Sequence, residues 1–304
     1  MIAYLAYVLA RAGLFILGIM PQGISYRMGR FFGLAGYILD ARHRKVALEN
    51  IRTAFPGIKA GEAKKIALRS FMHFGMVITD YGKALVKGPL WFLKRSEISG
   101  SRSVIEYMKK SGKGAIMLLA HFGVWEVLGS MCIVENVNIS VIARPLKNRF
   151  IDRLIKEVRE KFPQKVIDKM GAVSGIAGIL RKNEIVGILA DQRAGGRGVF
   201  VDFFGKKAST VATPAVLAAK TDTALFPVFG LRIKNSRFRL YVKDKIEVSD
   251  FKGSFDEKVF GVTQRYAQVV QDEVKKHPGQ YFWMHRRWKS VPRKGALTSE
   301  GRIC

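Results

Sequence analysis

A chain of 304 residues, 48% of them hydrophobic, can bury one large core, which excludes a disordered chain and points to a single catalytic-sized domain. Lys and Arg number 52 against 24 Asp and Glu, a formal charge of +28. That exceeds what solubility needs, so an anionic partner is expected: nucleic acid, an anionic membrane, a phosphorylated substrate or an acidic protein. The two cysteines, Cys132 and Cys304, supply neither a disulfide framework nor zinc spacing, which suits a reducing, cytoplasmic setting.

The first 20 residues hold 17 apolar ones, interrupted by Arg11, Gly13 and Gly18 and ended by Pro21. This length can span a bilayer core, although Arg11 in mid-segment costs about 2.5–3.5 kcal/mol on insertion scales. Residues 1–21 are therefore expected to form a membrane anchor, spanning or interfacial, with a buried helix as the alternative. Arg27, Arg30, Arg42, Arg44 and Lys45 follow it, and by the positive-inside tendency they place the remainder in the cytoplasm.

Residues 22–90 read as helical, with apolar spacings of three and four and a Pro56-Gly57 break. Beyond about residue 112 the pattern changes to short apolar runs at 115–120, 139–143, 185–190 and 224–229, which read as buried strands. Helical stretches near 124–133, 149–161, 173–182 and 213–220 alternate with them, the last capped by Thr213 with Pro214 in its first turn. The expected fold class is α/β, a central, mostly parallel or mixed sheet flanked by helices, behind an N-terminal hydrophobic helix. The catalytic domain is expected to cover 22–290, and 291–304 to form a polar tail that frays.

In open α/β sheets, reactive groups collect just past strand ends. Three such segments carry charge where a plain turn would suffice: His121-Phe122-Gly123-Val124-Trp125-Glu126, Arg144-Pro145-Leu146-Lys147-Asn148, and Asp191-Gln192-Arg193-Ala194-Gly195-Gly196. On an ideal helix, His121 and Glu126 diverge by about 140°. They meet only if the histidine precedes a helix and the glutamate lies on its opening turns. So arranged, His121 takes a proton from an attacking hydroxyl while Glu126 holds its tautomer. Arg144 suits a phosphate or a developing oxyanion, or else a surface salt bridge. Asn148 either bonds a substrate or caps the following helix. Asp191 orients Arg144, binds sugar hydroxyls or makes a structural turn. Gly195, Gly196 and Gly198 give a loop able to admit a phosphate, without a dinucleotide or Walker spacing.

The strings HFGVWE, ARPLKN, ILADQRAGG with VDFFGKKAST, and HPGQYFWMHRRWK occur in this order after HRKVALENIRTAFP. Together they resemble the late acyltransferases of lipid A biosynthesis in Gram-negative bacteria, within the His-x4-Asp/Glu acyltransferases. The resemblance covers nearly the whole chain. It implies a fold like that of glycerolipid acyltransferases and His121 and Glu126 as the catalytic pair; beside it, Arg144, Asn148, Asp191 and Gln192 are expected to bind substrate. It also implies an acyl carrier protein donor and a phosphorylated glycolipid acceptor at the cytoplasmic face of the inner membrane. No metal is expected, and no cofactor beyond the acyl thioester co-substrate. Val124, Gly279 and Tyr281 stand where many relatives carry Asn, Glu and Trp, which leaves open another acceptor, such as mannosylated phosphatidylinositol or a phospholipid, and acyl coenzyme A as donor.

The stretch from Val274 to Ser299 has no acidic residue and mixes Lys and Arg with Tyr281, Phe282, Trp283 and Trp288. It reads as a membrane-interface belt, a stacking surface for single-stranded RNA, or a strand with one solvated face. A nucleic-acid-binding role is the rival reading of the charge, but no compact DNA- or RNA-binding signature accompanies it, and no nucleic-acid partner is expected.

Overall fold

The computed structural model describes residues 1–168, 172–234 and 237–303, of which 168 and 172–174 by their backbone alone. Four helices come first: α1 (Ile2–Ile19), α2 (Gln22–Leu39), α3 (Ala41–Ala54) and the long α4 (Ala60–Lys87). Gly88, with φ +70°, ends α4, and Pro89 opens the short α5 (Pro89–Leu93). There follow β1 (Ser96–Ser99), α6 (Ser101–Ser111), β2 (Ala115–Leu119), a 3-10 turn at Trp125–Ser130, α7 (Met131–Val134), β3 (Ile139–Ala143) and α8 (Arg149–Arg159). Next come β4 (Gln164–Asp168), α9 (Ala172–Arg181), β5 (Ile185–Leu189), β6 (Val199–Phe203), β7 (Lys206–Thr210), α10 (Thr213–Thr221), β8 (Leu225–Arg232), β9 (Phe238–Val242) and α11 (Phe255–Lys276). Two short strands, β10 (Leu297–Thr298) and β11 (Gly301–Arg302), close the described chain.

Seven strands form the main sheet in the order β1-β9-β8-β2-β5-β3-β4. From β8 to β4 every pairing is parallel, and β9 joins antiparallel to β8. The expected α/β architecture is present. Central strands covered on both faces need unbroken apolar runs, and β2 and β5 are buried along nearly their whole length. From β2 the chain moves past β5 to β3, whereas from β5 it returns to β8 on the far side of β2. The sheet therefore has its switch point between β2 and β5, where their carboxyl ends open a crevice.

α1 is no detached anchor. It packs on α4 through Gly18 and Gly82: a Cβ on Gly18 would meet Gly82 O, and one on Gly82 would meet Leu14 O, each at 2.4 Å. Buried Lys83 donates from Nζ to the Gly18 and Met20 carbonyls, satisfying the C-terminal end of α1. Arg11 is answered by Glu157 of α8 at 2.7 Å, so its charge is neutralised within the protein. α2 runs antiparallel to α4 on a second glycine seam, Gly29 on Gly75 and Gly33 on Phe71.

Three local expectations are corrected. Thr213 is the first residue of α10, and Ala212 occupies the cap position without a side-chain bond. The tail does not fray over its described length: β10 pairs with β6, Ala296 and Leu297 are buried, and Arg302 engages Asp256. Cys304 lies outside the described residues. Finally, the aromatic residues of the basic C-terminal stretch are not a surface belt. Tyr281 and Trp283 are buried, Arg287 is 3% exposed, and Trp288 stacks on Phe203. The rings gain more from the core than their neighbouring charges gain from water.

Candidate active site

β2 and β5 pair in register, Leu119 opposite Leu189. Two residues farther along each chain stand His121 and Asp191, so adjacent parallel strands deliver them side by side at the switch point. The Asp191 carboxylate accepts from the His121 backbone N–H at 3.0 Å and meets ring Nδ1 at 2.8 Å. A buried carboxylate facing Nδ1 fixes that nitrogen as the N–H donor and leaves the Nε2 lone pair free. Nε2 has no partner among the described residues, and the His121 side chain is 22% exposed whereas that of Asp191 is 3% exposed. Burial alone would push the Asp191 carboxyl up. The adjoining His121 ring and amide, with Arg287 behind, outweigh burial and hold it below its usual value.

The loop that carries His121 is held on every side. His121 C=O accepts from Phe282 N–H at 3.0 Å, and Gly123 N–H donates to Gln280 C=O at 2.8 Å. Gly123 C=O accepts from buried His73 Nε2 at 2.8 Å, and Val124 N–H donates to Gly230 C=O at 2.7 Å. Gly123 has φ +58°, and a Cβ there would meet the Gly230 oxygen at 1.7 Å, so no other residue fits. His73 is kept neutral because burial, with Arg232 nearby, pushes it down to about 3. Phe282 and Trp125 flank the His121 ring at centroid distances of 6.2 and 5.5 Å.

Glu126 does precede the body of its turn, at the second position of the 3-10 segment, but it does not meet His121. Once Val124 is pinned to Gly230, the chain turns toward α4 and α8, and the Glu126 carboxylate closes on Arg159 through two bonds of 2.7 and 2.9 Å. Trp125 Nε1 donates to it at 2.9 Å. Burial would push Glu126 up; Arg159, Tyr81 and Trp125 hold it down. The orienting carboxylate at His121 is Asp191.

The other expected residues are dispersed. Arg144, one residue past β3, is exposed, with no ion pair or hydrogen bond among the described residues. Asn148 caps α8, accepting from Phe150 and Ile151 N–H, and its amide donates to Ala3 C=O of α1. Gln192 is half-buried beside Asp191. The glycine loop is filled from within: Arg293 side-chain atoms lie 2.7 Å from where a Gly196 Cβ would stand, and Ser209 Oγ donates to Gly195 C=O.

His285 escaped the sequence reading. Its Nε2 accepts from Arg193 N–H at 3.0 Å, and burial, aided by Arg287, His121 and Arg193, pushes it down to about 4 against the opposing pull of Asp191. A second histidine in the last motif was the only available signal.

Fold and site together define an α/β protein whose histidine–aspartate pair opens at the carboxyl edge of a parallel sheet, beside a helical layer with a large apolar surface. The chain belongs to the bacterial lipid A biosynthesis acyltransferase family, whose model matches residues 1–290. It is 26% identical over 282 residues to a lipid A biosynthesis acyltransferase of Haemophilus influenzae, covering 90% of this chain and 86% of that protein. The lipid A biosynthesis lauroyltransferase of Escherichia coli is 24% identical over 275 residues, covering 90% and 88%. A phosphatidylinositol mannoside acyltransferase of Mycolicibacterium smegmatis is 27% identical over 182 residues, covering 59% and 58%. The chain is an acyltransferase by family.

Proposed function

We propose that this enzyme transfers a fatty acyl chain from an acyl carrier protein thioester to a hydroxyl of a lipid A precursor at the cytoplasmic face of the inner membrane. The observation that carries the chemistry is the His121–Asp191 pair with Nε2 free at the crevice. His121 Nε2 removes the proton as the acceptor oxygen attacks the thioester carbonyl; the new C–O bond forms, the C–S bond breaks, and the imidazolium returns the proton to the departing thiolate. Asp191 holds the Nδ1–H tautomer and stabilises the imidazolium. Glu126 acts at one remove, tying the base-bearing loop to α8 through Arg159. Arg144 remains a candidate for an anionic group of the substrate, because its fixed charge is unengaged among the described residues. Gln192, beside Asp191, keeps its proposed place among the acceptor contacts. The likeness to phosphatidylinositol mannoside acyltransferases supports a second reading, in which the acceptor is another phosphorylated glycolipid.

The test is transfer by purified variants with matched circular dichroism. His121→Ala and Asp191→Asn should each lower kcat by about 100- to 10,000-fold. Glu126→Ala and Arg159→Ala should each lose activity together with stability, and the double variant should be little worse than either single one. An Asp191→Asn enzyme within about threefold of wild type would remove Asp191 from the mechanism.

A further inference from the structure

A cleft of about 470 Å³ lies between α3 and the end of the last motif. Arg42, Lys45 and Glu49 line one wall at spacings of three and four, a single face of α3; Arg286 and Lys289 come from the opposite wall, beside Trp288. Four cations thus face one carboxylate, and none of the five side chains has an ion pair or hydrogen bond among the described residues. Asp40, two residues before Arg42, is bonded to His43 at 2.6 Å and feels Arg42 only as a weaker through-space attraction. Trp288 Nε1, buried at the same wall, also has no acceptor among the described residues. Like charges gathered in a concavity repel one another, and an entering multivalent anion reverses that term.

The cleft shares a wall with the candidate active site. Asn50, in its floor, donates to the carbonyls of Trp283 and His285 at 2.7 and 2.6 Å, and His285 accepts from Arg193, two residues past Asp191. Phe282 flanks the His121 ring, and Arg286 is four residues on. A chain of four residues spans at most about 14 Å. The cleft and the base therefore lie on neighbouring stretches of one short segment.

We propose that this cleft binds a phosphoryl group carried on a lipid headgroup and so holds that lipid beside the crevice lined by His121. Guanidinium forks give such a group bidentate bonds, and the two lysines add point charge. A volume well above that of a bare phosphate leaves space for part of the sugar or glycerol that bears it. The proposal rests on acyl transfer to a lipid hydroxyl at His121. Two sources share the chemistry, the phosphate of the acceptor itself and that of a bilayer phospholipid.

Binding is measured in the full-length chain carrying His121→Ala, so that the result does not depend on turnover. One variant adds R42Q, K45Q, R286Q and K289Q; a control removes the same charge elsewhere through the exposed K64Q, K65Q, K109Q and K110Q. The probes are a detergent-dispersed phosphorylated glycolipid, its dephosphorylated counterpart, and phosphatidylcholine vesicles with and without phosphatidic acid. The cleft variant should bind the phosphorylated glycolipid about tenfold or more weakly, with the dephosphorylated form unaffected and the control within about twofold of the parent. A loss confined to phosphatidic acid vesicles upholds the site and makes the bilayer its source. Equal losses in cleft variant and control, or no loss with any probe, overturn the proposal. Should the cleft bind as expected while the wild-type enzyme transfers no acyl group to lipid, the functional reading fails and the site survives.

Discussion

At the residue scale, His73 shows how much of the site is set by groups that never touch substrate. It is a positioning residue: buried on α4, it donates to the Gly123 carbonyl, two residues from the base. His73→Phe leaves that carbonyl without a partner, at about 1–3 kcal/mol. It should lower kcat about tenfold or more with KM little changed, since the loop shifts without losing its substrate contacts. His73→Gln, which keeps an amide donor, should restore most of the rate, and equal impairment in both variants would show that only packing matters there. A pH readout separates the role further. His73 is pushed down from 6.5 to about 3 in the fold, so the unfolded chain binds the extra proton between those values and stability falls as pH drops below about 6.5. Thermal unfolding of His73→Gln should lose part of that acid sensitivity; His285, pushed down to about 4, retains its own share.

At the element scale, the first two helices are fastened to α4 by close backbone approach. A Cβ on Gly75 would meet Gly29 O at 2.0 Å, and one on Gly33 would meet Phe71 O at 2.3 Å. Glycine seams of this kind let helices associate where apolar burial gives little preference between protein and lipid. Next to the seam, Tyr26 donates to Asp80 at 2.7 Å and Asp80 pairs with Arg232 at the end of β8. Removing one partner of such a buried pair costs about 3–5 kcal/mol, so the helical layer and the sheet move as one body. Gly75→Ala should lower the unfolding temperature in detergent by several degrees, corresponding to about 1–3 kcal/mol of forced separation. Gly23→Ala is the control, since nothing lies within 4 Å of its Cβ position. There the helix gains alanine's propensity, and the temperature should hold or rise. Equal behaviour of the two would mean that α2 does not pack on α4 as described.

At the scale of the whole molecule, the outward sides of α1 and α2 leave Leu5, Leu9, Phe15, Ile16, Phe31, Phe32, Ile38 and Leu39 exposed together. We propose that these apolar residues, in a chain carrying +28, are where the protein meets a membrane. Two attractions should then be separable. Leu9→Glu, Phe31→Glu and Ile38→Glu, combined at exposed positions, should leave folding intact but abolish flotation with neutral vesicles. Binding to anionic vesicles should persist at low salt and disappear at high salt, where screening shortens from about 10 Å at 0.1 M to about 3 Å at 1 M. If the triple variant still floats with neutral vesicles at high salt, this face is not the one that enters the membrane.

The strands at 139–143 and near 115–120 and 185–190, the helices after them, and the strand-end position of His121 were legible in the sequence, because apolar period and strand-end charge are local properties. So was the apolar first helix. The partner of His121 was not. Asp191 meets it only because β5 lies beside β2 in parallel register, a pairing across 70 residues that no local pattern encodes, whereas Glu126, five residues away, is carried off by the Gly123 turn to Arg159. The same holds for the aromatic residues of the last motif, which read as a surface belt but of which Tyr281 and Trp283 are buried; the helix cap at Asn148, by contrast, was one of the two readings the sequence offered. Local chemistry in the sequence determined which groups are reactive and which segments are apolar; only the tertiary structure, through strand order and close helix contact, decided which of those groups meet.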